Sequence, residues 1–108
     1  MVQFLLIAYD GTDQDAVARR LAARQRHIEL GDTMVAAGRM LFGTAILAAD
    51  GRMIGSMLVL DFPTREELDA WLAIEPYMTG DVWQRLDISP CAVGPSFRGI
   101  PGRPTELP

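Results

Sequence analysis

Hydrophobic residues along the chain fall into six blocks that alternate between two periods. Val2–Tyr9 (VQFLLIAY) is short, β-rich and apolar on both alternating faces, and Gly11 ends it. Thr12 then stands as a candidate helix N-cap, with Asp13 and Asp15 placed in the first turn, where the helix dipole favours negative charge. The helix it opens carries Val17 and Leu21 one turn apart, continues through Ile28 to Ala37, and stops at Gly38. Arg39–Ala48 and Met53–Phe62 read as two strands around Asp50-Gly51, a dipeptide suited to a hairpin turn. Thr64-Arg65-Glu66-Glu67 is a capping box, and the helix behind it brings Leu68, Trp71 and Leu72 onto one face. Pro76 ends or kinks that helix and pushes Glu75 toward an extended conformation. Trp83–Val93 is a last strand, which Pro90 places at a sheet edge or near its own end. From Gly94 the chain turns rich in Pro and Gly and reads as an extended arm.

The order βαββαβ predicts an α+β, ferredoxin-like fold: a four-stranded antiparallel sheet with both helices on one face. Residues 1–97 form the domain and 98–108 the arm. Two helices cover only one side of such a sheet. A face turned to water asks each strand to alternate apolar and polar residues. The strands do not comply. Val2, Phe4 and Leu6 oppose Leu5 and Ile7, while Ile54, Leu58, Leu60 and Phe62 oppose Met53, Met57 and Val59. An apolar face left open invites aggregation, so the pattern predicts a homodimer or higher homo-oligomer. A dimeric α/β-barrel-like assembly would bury roughly 1,600 Å² or more between subunits.

Charge and composition narrow the chemistry. The formal net charge is −4 and the arginines are scattered, which argues against nucleic acid as a partner, since phosphate contacts need a concentrated positive face. All ten basic residues are arginine, so Schiff-base catalysis, pyridoxal-phosphate attachment and a P-loop are excluded. The single cysteine, Cys91, permits neither an internal disulfide nor a thiolate metal cluster, and reads as a small core residue. The N-terminal apolar run, Val2 to Ala8, lacks a basic flank and is too short for a signal peptide or a membrane span. The expectation is a cytoplasmic protein with no membrane partner, no metal and no cofactor.

His27, the sole histidine, is the first candidate for chemistry. Arg24, His27, Gly31 and Met34 share one side of the first helix, with Leu30 and Ala37 close to the same stripe. His27 thus sits at the margin of the buried face, and Gly31 leaves open space one turn on. Glycine inside a helix costs about 1 kcal/mol against alanine, which asks for a packing or site reason. His27 is either a partly buried residue satisfied by one hydrogen bond, or a general acid or base whose tautomer a carboxylate must set. Glu75, held by Pro76 and followed by Tyr77, is the candidate partner; the plainer reading is a solvated carboxylate at a helix end. Ser56 is a polar residue on an apolar strand, suited to a small hydrogen-bonded core position or to a binding site.

In order and spacing these residues resemble the YciI-like (YCII-related) domain family. The resemblance covers about residues 1 to 93. It is carried by Ala8-Tyr9-Asp10 at the end of the first strand, Arg24-x-x-His27, and Gly38-Arg39 eleven residues after the histidine. Further along come Gly55-Ser56, Phe62, Trp71, Glu75-Pro76-Tyr77 followed by Gly80 and Val82, and Ile88-Ser89-Pro90. The resemblance implies a ferredoxin-like dimer with a histidine–aspartate pair in a pocket near the subunit boundary. His27 matches the histidine. The acidic position of the family's Asp-Pro-Tyr is Glu75 here, which keeps the charge and lengthens the arm by one methylene. The family's Ala-Gly-Pro after the arginine is replaced by Gly43-Thr44-Ala45, and the C-terminal arm is long.

One branch of the family resembles dehydrochlorinases of chlorinated hydroxyhydroquinones, whose chemistry is proton transfer. The expectation is an enzyme of lyase, isomerase or dehydrochlorinase type, working without a cofactor on a small cyclic or aromatic metabolite. His27 and Glu75 would be catalytic, with Arg24, Ser56 and Tyr77 binding substrate. Against it stand a non-catalytic ligand-binding or accessory module of the same fold and, third, a ferredoxin-like monooxygenase relative. Hydrogen-bonding reach between His27 and Glu75 beside an enclosed pocket separates the first reading from the second.

Overall fold

The structure, a computed structural model, describes residues 1–97. Four antiparallel strands form one sheet in the order β2-β3-β1-β4. β1 (Val2–Asp10) and β3 (Met53–Phe62) are central, while β2 (Met40–Leu47) and β4 (Trp83–Cys91) are the edges. This is the ferredoxin-like α+β arrangement expected from the element order. Central placement follows composition, since β1 and β3 carry apolar residues on both alternations. Pro90, which has no amide hydrogen to give a ladder, lies on an edge strand opposite Phe4.

α1 (Ala16–Ala36) is one uninterrupted helix, followed by α2 (Arg65–Ile74) and the single turn α3 (Pro76–Thr79). They pack on one face of the sheet. Phe4, Leu6, Leu60 and Phe62 of the strands meet Ala23, Leu68, Trp71 and Tyr77 of the helices in one continuous core. Among the described residues no helix packs on the opposite face. Cross-strand pairing aligns Leu5 with Val59 and Ile7 with Met57, and Val59 in turn with Phe42, so an apolar band runs over β1, β3 and β2. The β4 share of that face is polar, with Asp87 and Ser89 opposite Ile7 and Leu5.

Local signals account for most boundaries. Thr64 caps α2 by accepting from the Glu67 amide at 3.2 Å. Gly51 takes the left-handed conformation (φ 90°) in the β2–β3 turn, while Asp50 accepts from the Arg52 amide at 3.1 Å. Gly55 is required by close approach: a Cβ there would lie 2.4 Å from the Ala8 carbonyl oxygen.

The entry into α1 differs from expectation. Thr12 is not its N-cap. The helix begins only at Ala16, Asp15 holds the cap position without a side-chain bond, and no acidic residue occupies the first turn. Asp13 instead receives the Asp15 amide and both terminal nitrogens of Arg19, so the guanidinium competes successfully for the carboxylate that the sequence assigned to the dipole. Gly94–Phe97 is not extended either: the Phe97 amide donates to the Gly94 carbonyl at 2.9 Å, closing a 3-10 turn at Pro95–Phe97. The remainder of the expected arm, 98–108, lies outside the described residues. Among the described residues no helix is long and apolar enough to cross a membrane.

Candidate active site

α1 and the α2–α3 junction bring the two candidate catalytic residues together. Pro76 denies α2 a further amide, so Glu75 leaves the helix with extended backbone (ψ 123°) and becomes the cap of α3. That turn drives its carboxylate inward, where it is fully buried at 0% exposure. One oxygen, Oε1, accepts from the Tyr77 amide at 3.2 Å and pairs closely with Nδ1 of His27, 48 positions earlier in the chain. The other, Oε2, is buried and has no hydrogen-bond partner among the described residues. A carboxylate buried this deeply depends for its hydrogen bonds on the His27 ring N–H and the Tyr77 amide.

The imidazole is fixed in plane as well as in direction. Its ring stacks on Tyr77 at 3.7 Å between centroids and 7° between planes, and Trp83 meets it edge-on at 5.9 Å. Burial raises the Tyr77 phenol above its usual range, so the stacking ring is a neutral phenol. Glu75 on Nδ1 selects the tautomer with the proton at that nitrogen. Nε2 is then the basic nitrogen.

A second polar layer lies beneath. Arg20, two helical turns before His27, pairs through Nη1 with both oxygens of Asp10 at 3.0 and 2.9 Å, and each side chain is only 5% exposed. Its Nη2 reaches Ser56 Oγ at 3.4 Å, and the Trp83 indole donates to the same oxygen at 3.1 Å. The Arg20 guanidinium also lies over the Tyr77 ring, 4.9 Å from its centroid. Ser56 is thus an acceptor for two donors and retains its own hydroxyl proton.

A pocket of about 310 Å³ opens beside the dyad, lined by His27, Arg24, Gly31, Met40, Ser56 and Tyr77 among others. Four of the five residues singled out from the sequence line it directly, and the fifth, Glu75, stands behind His27. Arg24 lies exposed at the rim, whereas Ser56 and Tyr77 form buried walls. The expected enclosure is not complete in the single chain, because Arg24, Ile28, Thr44 and Ala45 leave the pocket open along α1 and β2. A larger hollow of about 690 Å³ lies beyond Met53, which lines both. It lacks the histidine; of its charged lining, Asp13 pairs with Arg19, Asp10 with Arg20 and Arg52 with Asp50, while the Arg85 guanidinium lies over the Tyr9 ring.

The sequence reading did not find Arg20, Asp10 and Trp83 as members of this cluster. A signal existed for Arg20: its seven-residue spacing from His27 puts it two turns away on the same helical face. Asp10 stands out only as the end of the Ala8-Tyr9-Asp10 motif and nothing local marks Trp83; the sheet pairing brings the two opposite each other.

The YCII-related domain profile matches residues 2–92 of this sequence. The chain belongs to that family. YCII-related relatives include Protein YciI of Escherichia coli O6:H1, 24% identical over 92 residues that cover 80% of this chain and 94% of the relative. Protein YciI of Shigella flexneri matches to the same extent, with 24% identity over 92 residues. Among solved structures, the 5-chloro-2-hydroxyhydroquinone dehydrochlorinase (TftG) of Burkholderia phenoliruptrix, in complex with 2,5-dihydroxybenzoquinone, superposes with a TM-score of 0.75. It is 16% identical, and the match covers 85% of this chain and 95% of that one. An antibiotic biosynthesis monooxygenase superposes at a TM-score of 0.52 with 12% identity, covering 87% of this chain and 99% of the other. These two likenesses place the YCII-related chain in a common ferredoxin-like fold.

Proposed function

We propose that this YCII-related chain is a cofactor-independent enzyme of lyase, isomerase or dehydrochlorinase type that moves a proton on a small cyclic or aromatic metabolite. The observation that carries the reading is the pairing of His27 Nδ1 with a fully buried Glu75 carboxylate at the edge of a pocket of ligand size. A histidine serving only as a core residue does not need a buried charge behind it and a cavity in front.

His27 Nε2 takes a proton from an acidic carbon or hydroxyl of the substrate. The electron pair left behind delocalises onto a ring oxygen, and Arg24 at the rim supplies the positive charge that this oxyanion attracts. Glu75 and the stacked face of Tyr77 stabilise the imidazolium formed at His27. For isomerisation, His27 returns the proton to another atom of the substrate. For elimination, the electron pair expels a leaving group such as chloride, and the proton passes to water. Ser56, oriented by Arg20 and Trp83, turns its hydroxyl proton toward the substrate, and Tyr77 forms a flat wall against the ring.

The structural likeness to TftG supports a hydroxylated quinone or hydroquinone as the first substrate class to try. The likeness to a monooxygenase is at fold level only, and no residue of the site favours oxygen chemistry over proton transfer. In His27→Ala, turnover of 5-chloro-2-hydroxyhydroquinone or a related ring is expected to drop by roughly 10²–10⁴-fold, with circular dichroism and native mass unchanged. Equal turnover in wild type and mutant sinks the mechanism. Tight ligand binding without turnover by the wild type, lost in the same mutant, would assign the pocket to a binding module.

A further inference from the structure

We propose that Gly31 sets the size limit of the His27 pocket, its missing side chain being the space into which the substrate ring extends. The proposal rests on the proton-transfer reading of that pocket and identifies the position that discriminates among rings.

Glycine inside a helix is unfavourable, because the backbone loses more freedom on ordering than alanine does. Left-handed backbone or a neighbour too close for a Cβ commonly explains one. Neither holds at Gly31. It lies within the continuous helix α1, and a Cβ built there meets a single heavy atom within 4 Å, the Met40 sulfur at 4.0 Å, which is ordinary contact. Gly43 and Gly55 are different, since a Cβ at those positions would fall 2.7 Å from Leu58 Cδ2 and 2.4 Å from the Ala8 oxygen. Among the described residues, therefore, nothing requires a glycine at 31.

The cavity does. Gly31 follows His27 by one helical turn and lines the same 310 Å³ pocket, with Met40 of β2 also in the wall. A methyl group at 31 would narrow the gap between α1 and the Met40 thioether. That gap is apolar and polarisable, a setting that suits an aromatic edge or an apolar substituent. A ring held with its oxygen toward Arg24 and its reacting atom at His27 Nε2 can extend its far side into this notch. The preferred substrate is then an aryl ring carrying an apolar substituent or a second fused ring.

The test compares wild type, Gly31→Ala and Gly31→Leu, with phenol and 2-naphthol as probes, by titration calorimetry and thermal unfolding. Without ligand, Gly31→Ala should unfold roughly 4–8 °C higher than wild type, because a helix former replaces glycine where there is room. It should bind 2-naphthol at least about tenfold more weakly, the discrimination typical of one extra carbon in an apolar pocket, while phenol binding stays nearly constant. Gly31→Leu should lose both probes and keep its native mass. A lowered melting temperature in Gly31→Ala would show that packing demands the glycine, and overturn the proposal. So would a changed oligomeric mass with binding intact, or equal effects on both probes. If the wild type binds both probes and Gly31→Ala preserves their ratio, the assignment of Gly31 fails and the pocket stands. If the wild type binds neither ring, the reading of the pocket fails with it.

Discussion

Glu75 is where one residue changes character most between sequence and structure. A carboxylate after an amphipathic helix is ordinarily solvated, yet here it is buried, with the His27 imidazole and the Tyr77 amide as its hydrogen-bond partners. Its extra methylene relative to an aspartate is used, because the side chain accepts from the Tyr77 amide and still reaches His27. Glu75→Gln keeps the shape and removes the charge that stabilises a protonated imidazole. Turnover should fall by roughly 10²–10⁴-fold, with thermal stability kept or raised, since a buried charge is costly to hold. Glu75→Asp should lie between the two in rate, because the shortened arm loosens its grip on Nδ1. A pH–rate profile identical in all three proteins would show that Glu75 has no part in proton transfer.

At the scale of elements, the two helices are started by different means. α2 opens on the Thr64 cap, a neutral bond that does not respond to acid. α1 is entered through the Asp13–Arg19 pair, whose bond to the guanidinium lowers the Asp13 carboxyl from 3.8 to about 2. A carboxyl lowered by folding adds stability that is fully present above its unfolded value and disappears as pH falls through the folded one. The contribution of Asp13 should therefore be lost between pH 3.8 and about 2. Urea denaturation of wild type and Asp13→Asn should show a small difference near neutrality that closes in this window, small because the pair is exposed and solvent-screened. A gap that persists unchanged to pH 2 would mean that the ion pair is not its cause. At the far end of the chemistry, Pro76 separates α2 from α3 and fixes the direction of Glu75, so an element boundary positions a site residue.

For the molecule as a whole, the apolar band of Leu5, Ile7, Phe42, Met57 and Val59 lies on the face that none of the described helices covers. We expect a second copy to cover it, and native mass measured by light scattering to be at least twice the 11.9 kDa of one chain. Val59→Asp places a charge in the middle of that band and should lower the mass toward the single chain, with secondary structure retained. Wild type running as a monomer at micromolar concentration would refute the expectation. The polar residues Arg85, Asp87 and Ser89 on the β4 side give such a pairing a direction, since an apolar band bordered by charge on one flank fits only a limited set of sheet-on-sheet orientations.

Periodicity and punctuation were sufficient for the architecture: strand and helix periods, the Thr64 box, Asp50-Gly51 and Pro76 are local signals, and the order they impose leaves few ways to close one sheet. Ser56 is legible as a polar exception on an apolar strand and His27 as the sole histidine at the margin of a helical stripe, whereas Glu75 reads more plainly as a solvated helix end and Tyr77 enters through the family resemblance. The tertiary structure decided which of these residues meet. Ser56 is joined to Arg20 and Trp83, and Arg20 to Asp10, through sheet register and helix docking that bring together residues tens of positions apart. The entry to α1 was misread for the same reason. Capping preference describes a carboxylate near backbone amides, whereas the folded chain offers Asp13 the Arg19 guanidinium six residues on, a stronger charged donor, beside the Asp15 amide.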